Sequence, residues 1–546
     1  MKIKLYSLFI ALSVLVVSSC DLNLQDDPNE VTPGTASPNL VLNKIQVDFA
    51  GFFNTTGNNG MRLTRVLGQP SNLYEQAYVP VNFNGIWTTG YADILNDIKF
   101  LEPLAETAGF KRHLGIARTI KAYVLLTMVD YFDAVPLTEA LDPANFNPVV
   151  DPGAQVYQAA FAALAQARLD FAAPSVGTPN DFFYANDAAK WLKLINSLEL
   201  KYHLNRKLVD ASGSTSAINA LIAANNFIAP GQEFVFRYGT SLTNPDSRHP
   251  RFAAYGAGGG DYQSTWYMYH LTEEKGFDDP RARYYFYRQV LVNPTDPDKL
   301  RCLSEIAPGH YLAGGFPFCL PGDRGYWGRD HLNAEGIPPD GFDRTVWGIY
   351  PAGGRFDNNS GAPVSSPTLG GLGAGIQPIM LPAFVDFMLA EAIQTMDGVS
   401  GDPKALTLSG IKKHMDYVRA YSTSTADAAA ITTFQPIAAF NTAVTNYLTF
   451  VASEWDAAPA GRKMNIIGRE YWLSLYGSGN EAYNLYRRTG QPDGMQPGLI
   501  ANFGDFPRSF FYPNNYLVTN TSASQKASQR LRVFWDTNPE GNAWVY

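Results

Sequence analysis

The sequence predicts a mainly α-helical chain: helical hairpins stacked on one another, with a loop-rich, small-strand part set into the middle. Two observations predict this. Apolar residues recur at steps of three or four through much of residues 39–230 and again through 379–500, the signature of helices packed on a core. Between 231 and 378 that period gives way to Gly, Pro, Tyr, Trp and Arg, with only short strand-like runs such as Phe234 to Tyr238.

The first segment is a leader. Lys2 and Lys4 precede an apolar run from Leu5 to Val17 that is too short to cross a bilayer, so residues 1–19 read as a secretory signal peptide. The sequence Val17-Ser18-Ser19-Cys20 resembles the bacterial lipobox, whose cysteine is acylated and becomes the first residue of the mature chain. Cys20 is therefore the expected lipidation site, with an ordinary signal peptide beside an unrelated cysteine as the alternative. Several acyl chains, at about 0.8 kcal/mol per buried CH₂, make such an anchor stable. Residues 20–38 are polar and rich in Pro, Asp and Asn, and read as a flexible tether to a body spanning 39–546.

Helices are expected next, in order. Ile116, Ile120, Tyr123, Thr127 and Tyr131 mark one helix; Val156, Ala160, Leu164, Ala167 and Phe171 a second; Trp191, Ile195, Leu198 and Tyr202 a third. Prolines at Pro136, Pro174 and Pro179 lie in the connections, where a residue without an N–H stops a helix. After the loop-rich part, 231–378, helices resume at 381–393, 403–421, 436–453 and 467–487, and an irregular Pro- and Asn-rich tail occupies 501–546.

A net charge of −8 without any Lys/Arg-rich run offers no footprint for nucleic acid or anionic lipid surfaces. Beyond Cys20 the remaining cysteines, Cys302 and Cys319, are close in an exported chain and read as a disulfide, two buried free thiols being the alternative. No HExxH and no G-x-S-x-G occurs, and Gly371-Leu372-Gly373-Ala374-Gly375 reads as a flexible turn. Arg248-His249-Pro250 and Arg329-Asp330-His331 read as structural hydrogen-bonding sets, and Asp296, Asp298 and Asp357 as acidic turns rather than a calcium loop. No enzyme activity, cofactor or metal is expected.

Five segments carry a family resemblance. GIARTIKAYVLLTMVDYFDAVPLTEAL (115–141), NDAAKWLKLINSLELKYHLNRK (186–207), MLAEA (388–392), IGREYWLSLYGSGNEAYNLYRRTG (467–490) and PRSFFYPNNYLVTN (507–520) lie in order over nearly the whole mature chain. Together they resemble the SusD/RagB-type nutrient-binding outer-membrane lipoproteins. Asp133-Ala134 stands where the family has Gly-Asp, and Asn514-Asn515 where it often has Glu. The resemblance implies tetratricopeptide-like helix pairs supporting an irregular ligand-binding part. It also implies a lipid-anchored place on the cell exterior, and a SusC-like TonB-dependent barrel over which the lipoprotein acts as a hinged lid.

A sugar ring has an apolar C–H face and a polar rim, so its site needs flat aromatic platforms edged by polar groups. Trp266, Tyr267 and Tyr269, Tyr326 and Trp327, and Trp347 and Tyr350 are the candidate platforms; Asp323, Arg324, Arg329, Asp330 and Asn333 are the candidate rim. Packing of a loop-rich core is the competing reading of these rings. Trp87 and Tyr91, four apart, read as packing with a binding role open. The expected function is capture of an oligosaccharide, or a peptide, for delivery to the barrel. A surface glycan hydrolase and a helical-repeat scaffold for envelope proteins are the rival classes.

Overall fold

The computed structural model describes residues 37–335, 338–366 and 368–539; the leader, Cys20 and the tether before residue 37 lie outside them. The longer helices of the first half are α1 (Pro38–Leu63), α2 (Asn96–Ala108), α3 (Lys111–Phe132), α4 (Gly153–Ala172), α5 (Ala188–Arg206) and α6 (Ala211–Ala224). Helix α3 is central. The sequence marks a single stripe on it, yet Leu114, Val124, Leu125, Met128 and Val129 on its other faces are buried too, because α1, α2, α4 and α5 surround it. Asp caps start two of these helices: Asp187 accepts from the backbone N of Ala189 and Lys190 for α5, and Asp210 from Gly213 for α6.

In the loop-rich part, strand β1 (Phe234–Arg237) is followed by helix α7 (Thr265–Thr272) and strands β2 (Phe286–Tyr287), β3 (Val346–Trp347) and β4 (Ile376–Met380). β1 pairs antiparallel with β4, and β2 with β3. Helices then return as α8 (Pro382–Thr395), α9 (Pro403–Ser422), α10 (Ile437–Ala457), α11 (Lys463–Ser474) and α12 (Gly479–Thr489). The single helical stretch expected over 467–487 is divided. Gly477 takes φ +96° between α11 and α12, a left-handed conformation open to glycine. Among the described residues no helix is long and apolar enough to cross a membrane.

The turn between α11 and α12 has a purpose in packing. It lets the start of α12 lie against α1, where Gly479 meets the backbone of Gly57 and Gly60, and neither Gly60 nor Gly479 has room for a Cβ. Tyr131 of α3 seals the same junction, donating to Thr56 O at 2.6 Å and to Asn480 Oδ1 at 2.9 Å. The tail then closes over it. Trp535 Nε1 donates to the buried Asp130 carboxylate at 2.9 Å, and Arg508 holds Asp536 at 2.8 Å.

Candidate functional site

Most rings expected as platforms form the core of the loop-rich part. Tyr267, Trp327, Trp347 and Tyr350 have no exposed surface and Tyr326 almost none, so none of them offers a face to solvent. The expectation of open platforms is corrected for Tyr267, Trp327 and Trp347. The physical reason is that irregular backbone cannot satisfy itself. A buried tyrosine brings large apolar area together with a hydroxyl donor: Tyr267 and Tyr285 both donate to Leu473 O, at 3.1 and 3.0 Å, and Tyr476 donates to Gln263 Oε1 at 2.8 Å. These rings build a column: Tyr350 stacks on Tyr285 (5.5 Å between centroids), Tyr285 on Tyr476 (4.5 Å), and Tyr476 packs on Trp347 (4.4 Å).

At the end of that column a polar pocket opens. The Arg251 guanidinium lies 4.2 Å over the Trp347 ring, and the cavity above it, about 260 Å³, is lined by Asn54, Asn58, Arg251, Gly259, Gly260 and Asp261. Asn54 and Asn58 are one turn apart on α1 and face the pocket together. Arg251 Nη1 donates to Asn54 Oδ1 at 3.1 Å, Nη2 bonds Asn58 Oδ1, and Nε has no hydrogen-bond partner among the described residues. Burial lowers the Arg251 pKa and the nearby Asp261 carboxylate opposes that. Asp261 is itself held by Arg62 at 2.8 Å. Gly259, at φ +96°, packs its backbone on Val346 where a side chain would collide.

Two arginines fix the loop that carries Asp261. Arg329 and Arg344 lie on the Tyr262 ring, 4.3 and 4.0 Å from its centroid, and Arg344 donates to Gly260 O at 2.9 Å. Arg329 is thus a buried brace rather than an open rim group, paired with Asp340 and Glu335 at 3.4 Å. Asp330 is also buried. It accepts from the Cys319 backbone N at 2.8 Å and from Gln496 at 2.9 Å, and burial pushes its pKa up to about 6. Asp323 is exposed, and Arg324 beside it binds Glu273 and Asp278.

Cys302 and Cys319 are bonded, closing a loop around the enclosed Trp327. That loop carries Phe316, which meets the edge of Trp266 at 5.5 Å; Tyr269 stacks on Trp266 at 5.7 Å, and both Tyr269 and Phe316 are half-buried. Trp266 is 8 % exposed, so this ledge is where ring surface from the expected group reaches the outside. Trp87 packs on Tyr91 and Tyr516, at 5.0 and 4.8 Å. Asp296 caps its own turn through the Asp298 N, and Asp357 is the buried partner of Arg288 at 2.6 Å. Among the described residues no group of three His, Cys, Asp or Glu is placed to hold a metal ion.

Sequence reading missed Asn54, Asn58, Arg251 and Asp261. The available signals were Asn54 and Asn58, four apart and so on one helix face, and the glycine run Gly258-Gly259-Gly260 leading into Asp261. Arg251 follows the Arg248-His249-Pro250 set, in which His249 is structural as expected: its Nδ1 accepts from the Arg251 N at 3.2 Å. Chemically, the pocket combines fork donors, amide groups and one carboxylate in a small volume. That mixture matches the alternating donors and acceptors of a polyhydroxylated ligand.

Residues 28–297 match the SusD-like family model described as "Starch-binding associating with outer membrane". No curated protein matches the chain in sequence. Among solved structures, a chitin-binding protein is similar at 17 % identity and a TM-score of 0.62, over 92 % of this chain and 100 % of that one. A SusD/RagB family protein from Bacteroides thetaiotaomicron is similar at 17 % identity and 0.63, over 89 % and 95 %. A SusD homolog from Bacteroides fragilis is similar at 18 % identity and 0.63, over 89 % and 93 %. At these identities the structural likeness is one of fold alone, and it runs over about nine-tenths of the chain; it is the family model over residues 28–297 that identifies the chain as SusD-like.

Proposed function

We propose that this protein is a non-catalytic surface receptor that captures an oligosaccharide in the pocket above Trp347 and hands it to a SusC-like TonB-dependent barrel in the outer membrane. The observation that carries the reading is the convergence of Arg251, Asn54, Asn58 and Asp261 on one small cavity. Sugar hydroxyls donate and accept at once, and a guanidinium beside amides and a carboxylate serves both roles. The pocket lining holds one carboxylate, Asp261, whereas glycoside hydrolysis in most families uses a flanking pair. The ledge of Trp266, Tyr269 and Phe316 is the proposed outer platform for a longer chain. Trp327, Trp347 and Tyr267 act beneath it as support, and Arg329 positions the Asp261 loop.

Acylation at Cys20 would hold the receptor at the cell exterior, and the tether after it would let the body open and close over the barrel. The family's description as starch-binding, and the chitin-binding name of one similar structure, set the first ligands to try. Affinity electrophoresis of the mature chain through gels containing starch or chitin oligosaccharides tests capture. Retardation that is lost in the Arg251→Gln/Asn58→Ala double variant is the expected result; release of shortened sugars by the purified protein would make it a hydrolase instead. Pull-down from detergent-solubilised membranes tests the partner. A large barrel supports the lid role, and other envelope proteins support a scaffold.

A further inference from the structure

A second cavity shares no residue with the polar pocket. It is a groove of about 400 Å³ between β1 and α9, floored by Leu381 and Pro382 and by the rings of Tyr417 and Tyr421, with Arg237 at its mouth. Tyr421 is fixed there, donating to Ala374 O at 2.7 Å.

The charges around this groove are unequal in their engagement. Lys413 is held by Asp386 at 2.7 Å and Asp416 by Lys412 at 2.5 Å, while Glu233 accepts from the Gly231 N at 2.8 Å. Arg237 is exposed and forms no ion pair among the described residues. The enclosed Tyr417 hydroxyl makes no close hydrogen bond, and the Arg237 side chain is the group that reaches toward it. Burial raises its pKa, and the positive charge of Arg237 is the strongest influence in the other direction. The groove therefore offers an apolar floor and, at its entrance, a guanidinium that lies near the Tyr417 hydroxyl and has no ion-pair partner among the described residues.

A guanidinium fork matches a carboxylate, and an apolar floor flanked by tyrosine rings matches a C–H face. We propose that this groove is a second binding site, for a carboxylate carried on a compact apolar face. A uronic acid residue of an acidic glycan and the C-terminal residue of a short peptide both present that chemistry. The volume is at the lower end of ligand pockets, enough for one or two such residues. This site is independent of the glycan pocket proposed above and does not need it to be correct.

Calorimetric titration of the mature chain separates the sources. The ligands are trigalacturonate, the tripeptide Ala-Ala-Phe with a free or an amidated C-terminus, and neutral maltotriose. Binding of trigalacturonate identifies an acidic glycan; binding of the free but not the amidated tripeptide identifies a peptide terminus. Either is expected to weaken roughly ten- to a hundredfold in Arg237→Gln, the range for losing a charged hydrogen bond. Either should also be lost in Ala420→Trp, which fills the groove without changing a charge, and persist in Arg251→Gln. Both residues replaced at the groove are exposed, so folding is preserved. The proposal is overturned if neither carboxylate ligand binds, if binding survives Arg237→Gln or Ala420→Trp, or if maltotriose binds the groove equally well.

Discussion

Glu391 and Arg488 form a fully buried ion pair, with Glu391 Oε1 and Oε2 each 2.8 Å from the Arg488 guanidinium. Glu391 comes from the MLAEA segment of α8 and Arg488 from the LYRRTG segment of α12, so segments read separately in the sequence meet in one contact. Lys207 of the 186–207 segment adds a third member at 2.9 Å. The two neighbouring cations hold the Glu391 pKa below its ordinary value despite burial. Truncating Glu391 would leave the buried Lys207 without its carboxylate and Arg488 with Glu481 as its remaining carboxylate. Glu391→Ala is expected to cost about 3–5 kcal/mol, read as a lowered midpoint in urea unfolding; an unchanged midpoint would show the pair is dispensable.

The glycine contact between α1 and α12 predicts opposite effects within one helix. At Gly60 a Cβ would run into the Gly479 backbone, whereas at Gly51 nothing lies within 4 Å. Gly60→Ala should prevent soluble folding or sharply lower the melting temperature. Gly51→Ala should raise stability by about 0.5–1 kcal/mol, the helix-interior difference between the two residues. Equal effects at the two positions would contradict the close approach.

Asp330 makes stability depend on pH. Burial lifts its folded pKa to about 6, against the opposing hydrogen bonds of Cys319 and Gln496 and the charge of Arg329. The unfolded carboxylate titrates near 3.9, so the folded state takes up the proton first as pH falls. Its contribution favours folding fully below about pH 4 and disappears as pH rises through about 6, a change of about 3 kcal/mol. The stability difference between wild type and Asp330→Asn should shift in the wild type's favour by about 2 kcal/mol, most of that change, on going from pH 7 to pH 4. Parallel curves from urea melts at the two pH values would contradict it.

The Cys302–Cys319 bond closes a loop with a sequence separation of 17. Opening it with Cys302→Ser/Cys319→Ser should lower stability by about 3 kcal/mol through the entropy of the freed loop. The same change should expose Trp327, which shares one small buried cluster with both cysteines, and red-shift its fluorescence. An unaltered melt and spectrum would show that the loop is held by other contacts.

Helices were legible because a one-sided apolar period survives any detail of packing: α3, α4, α5, α8 and α9 all stand where the period put them. The break at Gly477 was less so, since its cause is a partner, α1, some four hundred residues earlier. Ring-rich loops were recognisable as important, but residue type does not say which face of a ring is covered, and Trp327 and Trp347 proved to be core. The polar pocket was the least legible. Its Arg251–Asn54 bond spans a sequence separation of 197, so only the fold brings its groups together.

The account rests on capture of sugar by the groups above Trp347. Calorimetric titration of a retained starch or chitin oligosaccharide into wild type and Arg251→Gln, with thermal unfolding followed in parallel, tests it most directly. The prediction is saturable binding to wild type that weakens at least roughly tenfold in the variant while unfolding stays cooperative. Identical affinity in the two folded proteins would contradict it.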